Sequence, residues 1–333
     1  MTHINIPIEI GVRGDFKLEV YNTKEKRITQ TRDWKQNLLL DSYLDRLFHP
    51  TNWCCLVNWT TETSGSIVAP TGESRCIIGD DNTPPNRSQT SLVSGVVSTS
   101  AKNSLRTLSD VTSNPSWRQD VFTFPAGTYV GPVREIGLAS GTEFYVARQL
   151  VEPELELGEN DQLTVTWRLS VDLGNRTWTG TIAGGQRDGI TDVNWTMTIN
   201  NAQLVNFLRR GTSNNRRDWF SDTHSQTPNF ILGDSNAASD LANDATDTVK
   251  GNQLYEEHPP GAFKTIPDYV PGTYTQDHIF GFEHDDPSNV QIGEAIMSGR
   301  GGSSMARLTF DPLLDKAEFW RLFLTFTTTV VPD

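Results

Sequence analysis

Side chains that commonly hold metals crowd one stretch: His278, His284, Asp285 and Asp286, with His258 upstream. Imidazole and carboxylate together suit zinc, manganese or iron. Their spacing fits no common metal site, so the stretch reads as a polar loop of solvated side chains. Asp80, Asp81 and Asn82 offer oxygens to calcium, but the remaining spacing of an EF-hand is missing and a turn is the expectation. Glycoside hydrolysis needs two carboxyl groups converging in a cleft. Among 41 Asp and Glu no pair stands out, and Glu152, Glu154, Glu156 and Glu159 read as a solvated acidic loop. The sequence contains no Gly-x-x-x-x-Gly-Lys-Ser/Thr, Gly-x-Gly-x-x-Gly, His-Glu-x-x-His or Gly-x-Ser-x-Gly motif. The expectation is a protein that is not an enzyme, with no catalytic residue, no cofactor and no metal.

Binding chemistry is better represented. Arg209, Arg210, Arg216 and Arg217, followed by Trp219, form the single basic cluster of an acidic chain. Such a cluster can hold phosphate or stack on a base, but here it reads as a contact to a neighbouring subunit. Tyr269 and Tyr274 are candidate receptor contacts. Trp53, Trp59, Trp178 and Trp195 lie in polar surroundings, where indole rings either stack on sugars or pack. Cys54, Cys55 and Cys76 form neither a disulfide framework nor a zinc pattern, and reduced thiols are expected.

Composition narrows the classes further. Across 333 residues, 36 % are hydrophobic and 21 % charged, too apolar for a disordered chain. No run approaches the ~20 apolar residues of a spanning helix. Met1-Thr2-His3-Ile4-Asn5 lacks the basic head and apolar run of a secretory leader, so none is expected. A net charge of −13 disfavours a general nucleic-acid coat, which needs a positive surface to displace counterions. It suits a soluble assembly part whose copies repel until they dock.

The elements that must position these residues come in two sets. Ala147-Arg148 to Pro153 echoes Ala306-Arg307 to Pro312 at an offset of 159 residues, and the same offset pairs Glu135 with Glu294 and Leu163 with Leu322. Ile77-Ile78-Gly79-Asp80 echoes Ile231-Leu232-Gly233-Asp234 at an offset of 154, and Leu44 echoes Leu204 at 160. Anchors in the same order imply a duplication. Leu163, Val165, Trp167, Leu169 and Val171 alternate with polar residues, the period of a half-buried strand. Leu40, Tyr43, Leu44, Leu47 and Phe48 share one helical face. Short strands with many turn residues predict a mainly β protein of two tandem, related β-sandwich domains, each with a short helix. The expected domains are 1–173 and 174–333, the second carrying a long irregular insertion at about 235–289. Gly299 to Ser304 is a second stretch expected to be flexible.

The anchors from Asn37 to Val171 resemble a pattern found in bacteriophage tail and tail-fibre-associated proteins. The pattern places an Asn before a short Leu-rich helix (Asn37 to Phe48), then an apolar pair running into Gly and turn residues (Ile77 to Pro85). An Arg-Glu-Ile-Gly strand follows (Arg134 to Gly137), then an Ala-Arg strand and an acidic Gly-containing turn before the last alternating strand. In the second copy Arg134 becomes Gly293 and Gly137 becomes Ile296. The resemblance implies a virion structural protein of the tail region (tail, fibre attachment, collar or baseplate). It implies synthesis in the host bacterial cytoplasm and assembly as a homo-oligomer with other tail proteins, without nucleic acid or membrane insertion. The alternatives are a carbohydrate- or receptor-binding module at the host surface and a tail-associated polysaccharide hydrolase.

Overall fold

The computed structural model describes residues 2–45, 74–100, 107–108, 115–140, 144–172, 174, 177–183, 192–199, 229–233, 253–255, 262–265, 267–283, 290–299, 303–316 and 321–333. Among these, nineteen strands and one short helix are present, so the protein is mainly β. No helix of the described residues is long and apolar enough to cross a membrane. The chain divides into two compact units. The first contains Gly11–Asp172, Pro271–Tyr274 and Val330–Asp333, and the second Met1–Ile10, Leu173–Val270 and Thr275–Thr329. The expected division at 173/174 leaves out these exchanged segments.

The first unit is a sandwich of two sheets. One sheet runs from β2 (Arg27–Gln36) through β1 (Thr2–Asn22, here from Gly11) and β10 (Asp161–Asp172) to β7 (Ser116–Phe124) and β6 (Thr107–Leu108). The other is ordered β3 (Leu38–Leu39), β9 (Phe144–Leu157), β8 (Gly131–Ser140), β4 (Ser74–Gly79) and β5 (Gly95–Ser100). The alternation read in residues 163–171 places Leu163, Val165, Trp167, Leu169 and Val171 inside, opposite Phe16, Leu18 and Val20 of β1 and Phe122 and Phe124 of β7. Side chains also tie the sheets at their margins. Gln30, Arg32 and Lys35 of β2 donate to carbonyls of β9, and Thr99 of β5 donates to the carbonyl of Thr123.

Two local readings change here. The acidic stretch from Pro153 to Asp161 is not a loop throughout. It alternates, with Leu155 and Leu157 buried and Glu154 and Glu156 exposed, so β9 continues to Leu157. The helix α1 spans Asp41–Leu44 and buries Tyr43 and Leu44; the rest of its predicted length lies outside the described residues.

The second unit has one sheet ordered β11 (Thr177–Ile182), β12 (Val193–Ile199), β18 (Ser303–Lys316), β17 (Val290–Gly299), β13 (Asn229–Gly233) and β14 (Gln253–Tyr255). Its other sheet contains β15 (Ala262–Thr265), β16 (Thr275–Glu283), β19 (Arg321–Pro332) and the Thr2–Ile10 part of β1. The segment 235–289, expected to be irregular, therefore contributes three strands among the described residues. Its turn-rich composition hides them, and they are fixed by pairing, Thr275–Glu283 lying opposite Arg321–Thr329. The stretch from Gly299 to Ser304 joins β17 to β18, and Gly299 pairs with Ser303.

The ladders of the two units follow one plan. Glu135 opposes Leu150, and Glu294 opposes Thr309, each partner being 159 residues further on. Bulges fall between Val133 and Glu135 and between Leu138 and Ala139 in β8, and at the corresponding Ile292/Glu294 and Met297/Ser298 in β17. Gly79 opposes Glu135 and Gly233 opposes Glu294, as the offsets of 154 and 159 require. Leu39 opposes Ala147 and Ile199 opposes Ala306, at offsets of 160 and 159. The bonds Glu152–Pro153 and Asp311–Pro312 are both cis.

Candidate functional site

Shared ladder plans bring the same two charges together in each unit. In the first, β8 and β9 are adjacent strands, so Glu135 and Arg148 meet on the sheet face that the loop 80–94 covers, both completely buried. Arg148 Nε donates to Glu135 Oε2 at 2.8 Å, and Nη2 forms an ion pair with the same oxygen at 2.7 Å. The guanidinium also donates from Nη1 to Gln89 Oε1 and from Nη2 to the carbonyl of Thr83, each at 2.8 Å. Glu135 accepts backbone N–H bonds from Ser94 at 2.7 Å and Val93 at 3.3 Å. The planar donor fork of arginine suits such a shared acceptor.

A buried ion pair of this kind repays its desolvation only when its remaining hydrogen-bonding capacity is met. Here the loop 80–94 meets it. That loop has no ladder of its own beyond Gly79, and the pair gives it four bonds from the sheet. Asp80 Oδ1 accepts from Ser94 Oγ at 2.5 Å, and Asp81 Oδ1 accepts the N–H of Thr83 at 2.7 Å; the Thr83 hydroxyl, then this N–H, lowers the Asp81 carboxyl below its ordinary range. Gly79 lets the strand pass under this arrangement: a Cβ there would stand 2.4 Å from the carbonyl oxygen of Ser94 and 2.6 Å from Glu135 Oε1. In the second unit Arg307 Nε lies 3.3 Å from Glu294 Oε2, with both side chains at most 2 % exposed. The arrangement is a clamp. In the first unit it holds the loop 80–94 on the sheet.

A second cluster lies on the face of the first unit's β2–β1–β10–β7 sheet that points away from its core. The Arg168 guanidinium lies between two indoles, 4.2 Å from the Trp34 centroid and 4.8 Å from that of Trp117, and Nη2 donates to Gln119 Oε1 at 3.3 Å. Lys17 Nζ also lies over the Trp34 ring, 5.9 Å from its centroid. Each contact is a favourable cation–π geometry.

The sequence-nominated residues are distributed differently. Arg209, Arg210, Arg216, Arg217 and Trp219 lie outside the described residues, as do Trp53, Trp59, His258, His284, Asp285 and Asp286. His278 is on β16, paired with Phe326 of β19. Among the described residues no group of three His, Cys, Asp or Glu side chains could hold a metal ion. Tyr269 is partly exposed. Tyr274 has a positive φ of 52° and its hydroxyl donates to Asp41 Oδ1 at 2.5 Å. Burial, then this carboxylate, raises its phenol well above the ordinary range. Tyr274 thus ties its loop to α1, and Gly272 N–H adds a bond to Asp45 Oδ1 at 2.8 Å. Trp195 packs over Gly180, where a Cβ would meet its ring at 2.5 Å.

Cys76 is a free, fully buried thiol whose pKa burial pushes up to about 12, so it behaves as a small apolar side chain. The sequence aligns Glu135 with Glu294 and places Arg148 and Arg307 in matching strands, but does not by itself pair the charges. Two ionisable residues on apolar strands at one offset were the available signal. Comparisons with protein-family models, curated proteins and solved structures found no match to this chain.

Proposed function

We propose that this chain is a structural protein of a bacteriophage virion, placed in the tail region and acting by assembly with itself and neighbouring virion proteins. The observation that carries the reading is the repeated, clamped frame. Two units share one ladder plan, each buries an Arg–Glu pair, and in the first unit that pair holds the loop 80–94. Fixed loops on rigid sheets make well-defined docking surfaces, because little ordering entropy is left to lose on binding. The order of anchors from Asn37 to Val171, resembling phage tail proteins, supports the same assignment, and the net charge of −13 keeps copies apart before docking. In this role the chain is made in the host cytoplasm and incorporated into the particle.

The test is proteomic. Phage particles encoding this chain are purified by density gradient, and their proteins are identified by mass spectrometry. Recovery in fixed stoichiometry to the major tail protein is the expected result. Its absence from infectious particles counts against the assignment.

A second reading, contact with a host glycan or receptor, draws on the outward Trp34–Arg168–Trp117 stack. It predicts saturable binding to host cells that is lost in Trp117→Ala. A null glycan array together with no cell binding removes it.

A further inference from the structure

The two halves of the chain exchange their ends. Residues 1–10 belong to the unit built otherwise from the C-terminal half, while Pro271–Tyr274 and Val330–Asp333 of the C-terminal half complete the unit built from residues 11–172. These segments are integral to the units they enter. Ile4, Ile6, Ile8 and Ile10 are at most 2 % exposed. His3 Nε2 lies 2.6 Å from Thr325 Oγ1, and Thr327 Oγ1 donates to Asn5 Oδ1 at 3.2 Å. In the other direction, Arg87 Nη2 donates to the carbonyl of Pro332 at 3.3 Å, and Asp333 N–H donates to the carbonyl of Val12 at 3.1 Å.

The two bonds of His3 and Asn5 advance in the same sense along β1 and β19, as parallel neighbours do. Parallel strands cannot be joined by a tight hairpin, and these two stand 322 residues apart in sequence. Between the halves the chain passes once, from Asp172 to Thr177, and Gly174 in that passage is exposed with no atom within 4 Å of an added Cβ.

We infer that this chain pairs with a second copy of itself by reciprocal exchange of halves, residues 1–172 of one copy completing residues 177–333 of the other. Every contact inside both units is the same whether the halves come from one copy or two; only the passage between Asp172 and Thr177 differs. That is the condition under which domain swapping is a low-cost route to a dimer. The balance between forms is then set by the connector and by protein concentration. The partner is a second copy because the slot beside β19 is filled by this chain's own run of alternating Ile residues, and the arm's polar partners, Thr325 and Thr327, are its own. The inference rests on the exchanged segments and is independent of the virion assignment.

The test uses the full chain with Cys54→Ser and Cys55→Ser. One preparation carries His3→Cys and another Thr325→Cys; the two are mixed, unfolded and refolded together at rising concentration, then oxidised. The expected result is a disulfide joining two copies, at least tenfold above the yield of His3→Cys mixed with Thr29→Cys, in a species that light scattering sizes as a dimer. The double variant His3→Cys/Thr325→Cys closing on itself, while the mixed single variants give no cross-chain product at any concentration, overturns the inference. Light scattering of the unsubstituted chain refolded over the same range supplies a check free of substitutions: a dimer fraction that grows with concentration supports exchange, and a monomer throughout contradicts it.

Discussion

Arg148 Nε donates to Oε2 of Glu135, its Nη2 lies 2.7 Å from the same oxygen, and both side chains are wholly buried. Removing one partner leaves the other charge buried and uncompensated. Arg148→Met is therefore expected to cost about 3–5 kcal/mol of stability, read from the midpoint of urea unfolding. The double variant Arg148→Met/Glu135→Leu should recover most of that loss, since neither charge remains to be desolvated. A single variant within 1 kcal/mol of the parent would mean that the pair does not hold the loop.

Gly79 passes beneath Ser94 and Glu135 so closely that a single methyl group meets a backbone oxygen. Gly79→Ala should destabilise by about 1–3 kcal/mol through overpacking and increase protease cleavage within 80–94. Equal cleavage in both proteins would show that the loop tolerates the shift.

The register of charges was partly legible beforehand. Glu135 and Glu294 align at one offset, and the alternation of residues 163–171 identifies β10 and its buried face without further information. What the sequence conceals is which strands lie side by side. Glu135 reaches Arg148 only because β8 and β9 pair with bulges between Val133 and Glu135 and between Leu138 and Ala139. The strand β16 is concealed for a related reason. It begins Thr-Gln-Asp-His, a polar run whose strand character comes from pairing with β19 rather than from its own alternation. Its apolar Phe280 and Phe282 correspond to Phe122 and Phe124 at an offset of 158, one residue short of the neighbouring strands, so a fixed offset of 159 passes over them. The exchange of chain ends is likewise beyond any local pattern, since it joins residues at opposite ends of the sequence.

Cys76 gives a pH signature. Its folded pKa, about 12, lies above the 9.0 of an unburied thiol. Below pH 9 the thiol is protonated in both states and has no effect on the pH dependence. Between 9 and 12 the unfolded thiol ionises while the buried one does not, so the unfolded state binds fewer protons and stability falls by up to about 1.4 kcal/mol per pH unit from this group. Cys76→Ala should show a flatter decline from pH 9 to 10.5 than the parent. Identical slopes would mean that Cys76 ionises as readily folded as unfolded.

The Trp34–Arg168–Trp117 stack should contribute about 0.5–2 kcal/mol. Arg168→Ala is expected to lose that amount and to change the intrinsic tryptophan fluorescence of the folded protein, whereas Arg168→Lys should recover part of the stability without the planar stacking. An unchanged emission spectrum in Arg168→Ala would place the guanidinium away from the rings.

The most direct test of the proposed role is antibody labelling of intact and detergent-disrupted phage particles, viewed by electron microscopy. The account predicts gold at one position on the tail, neck or baseplate, with a constant number of labels per particle. Particles that carry no label in either state would contradict it.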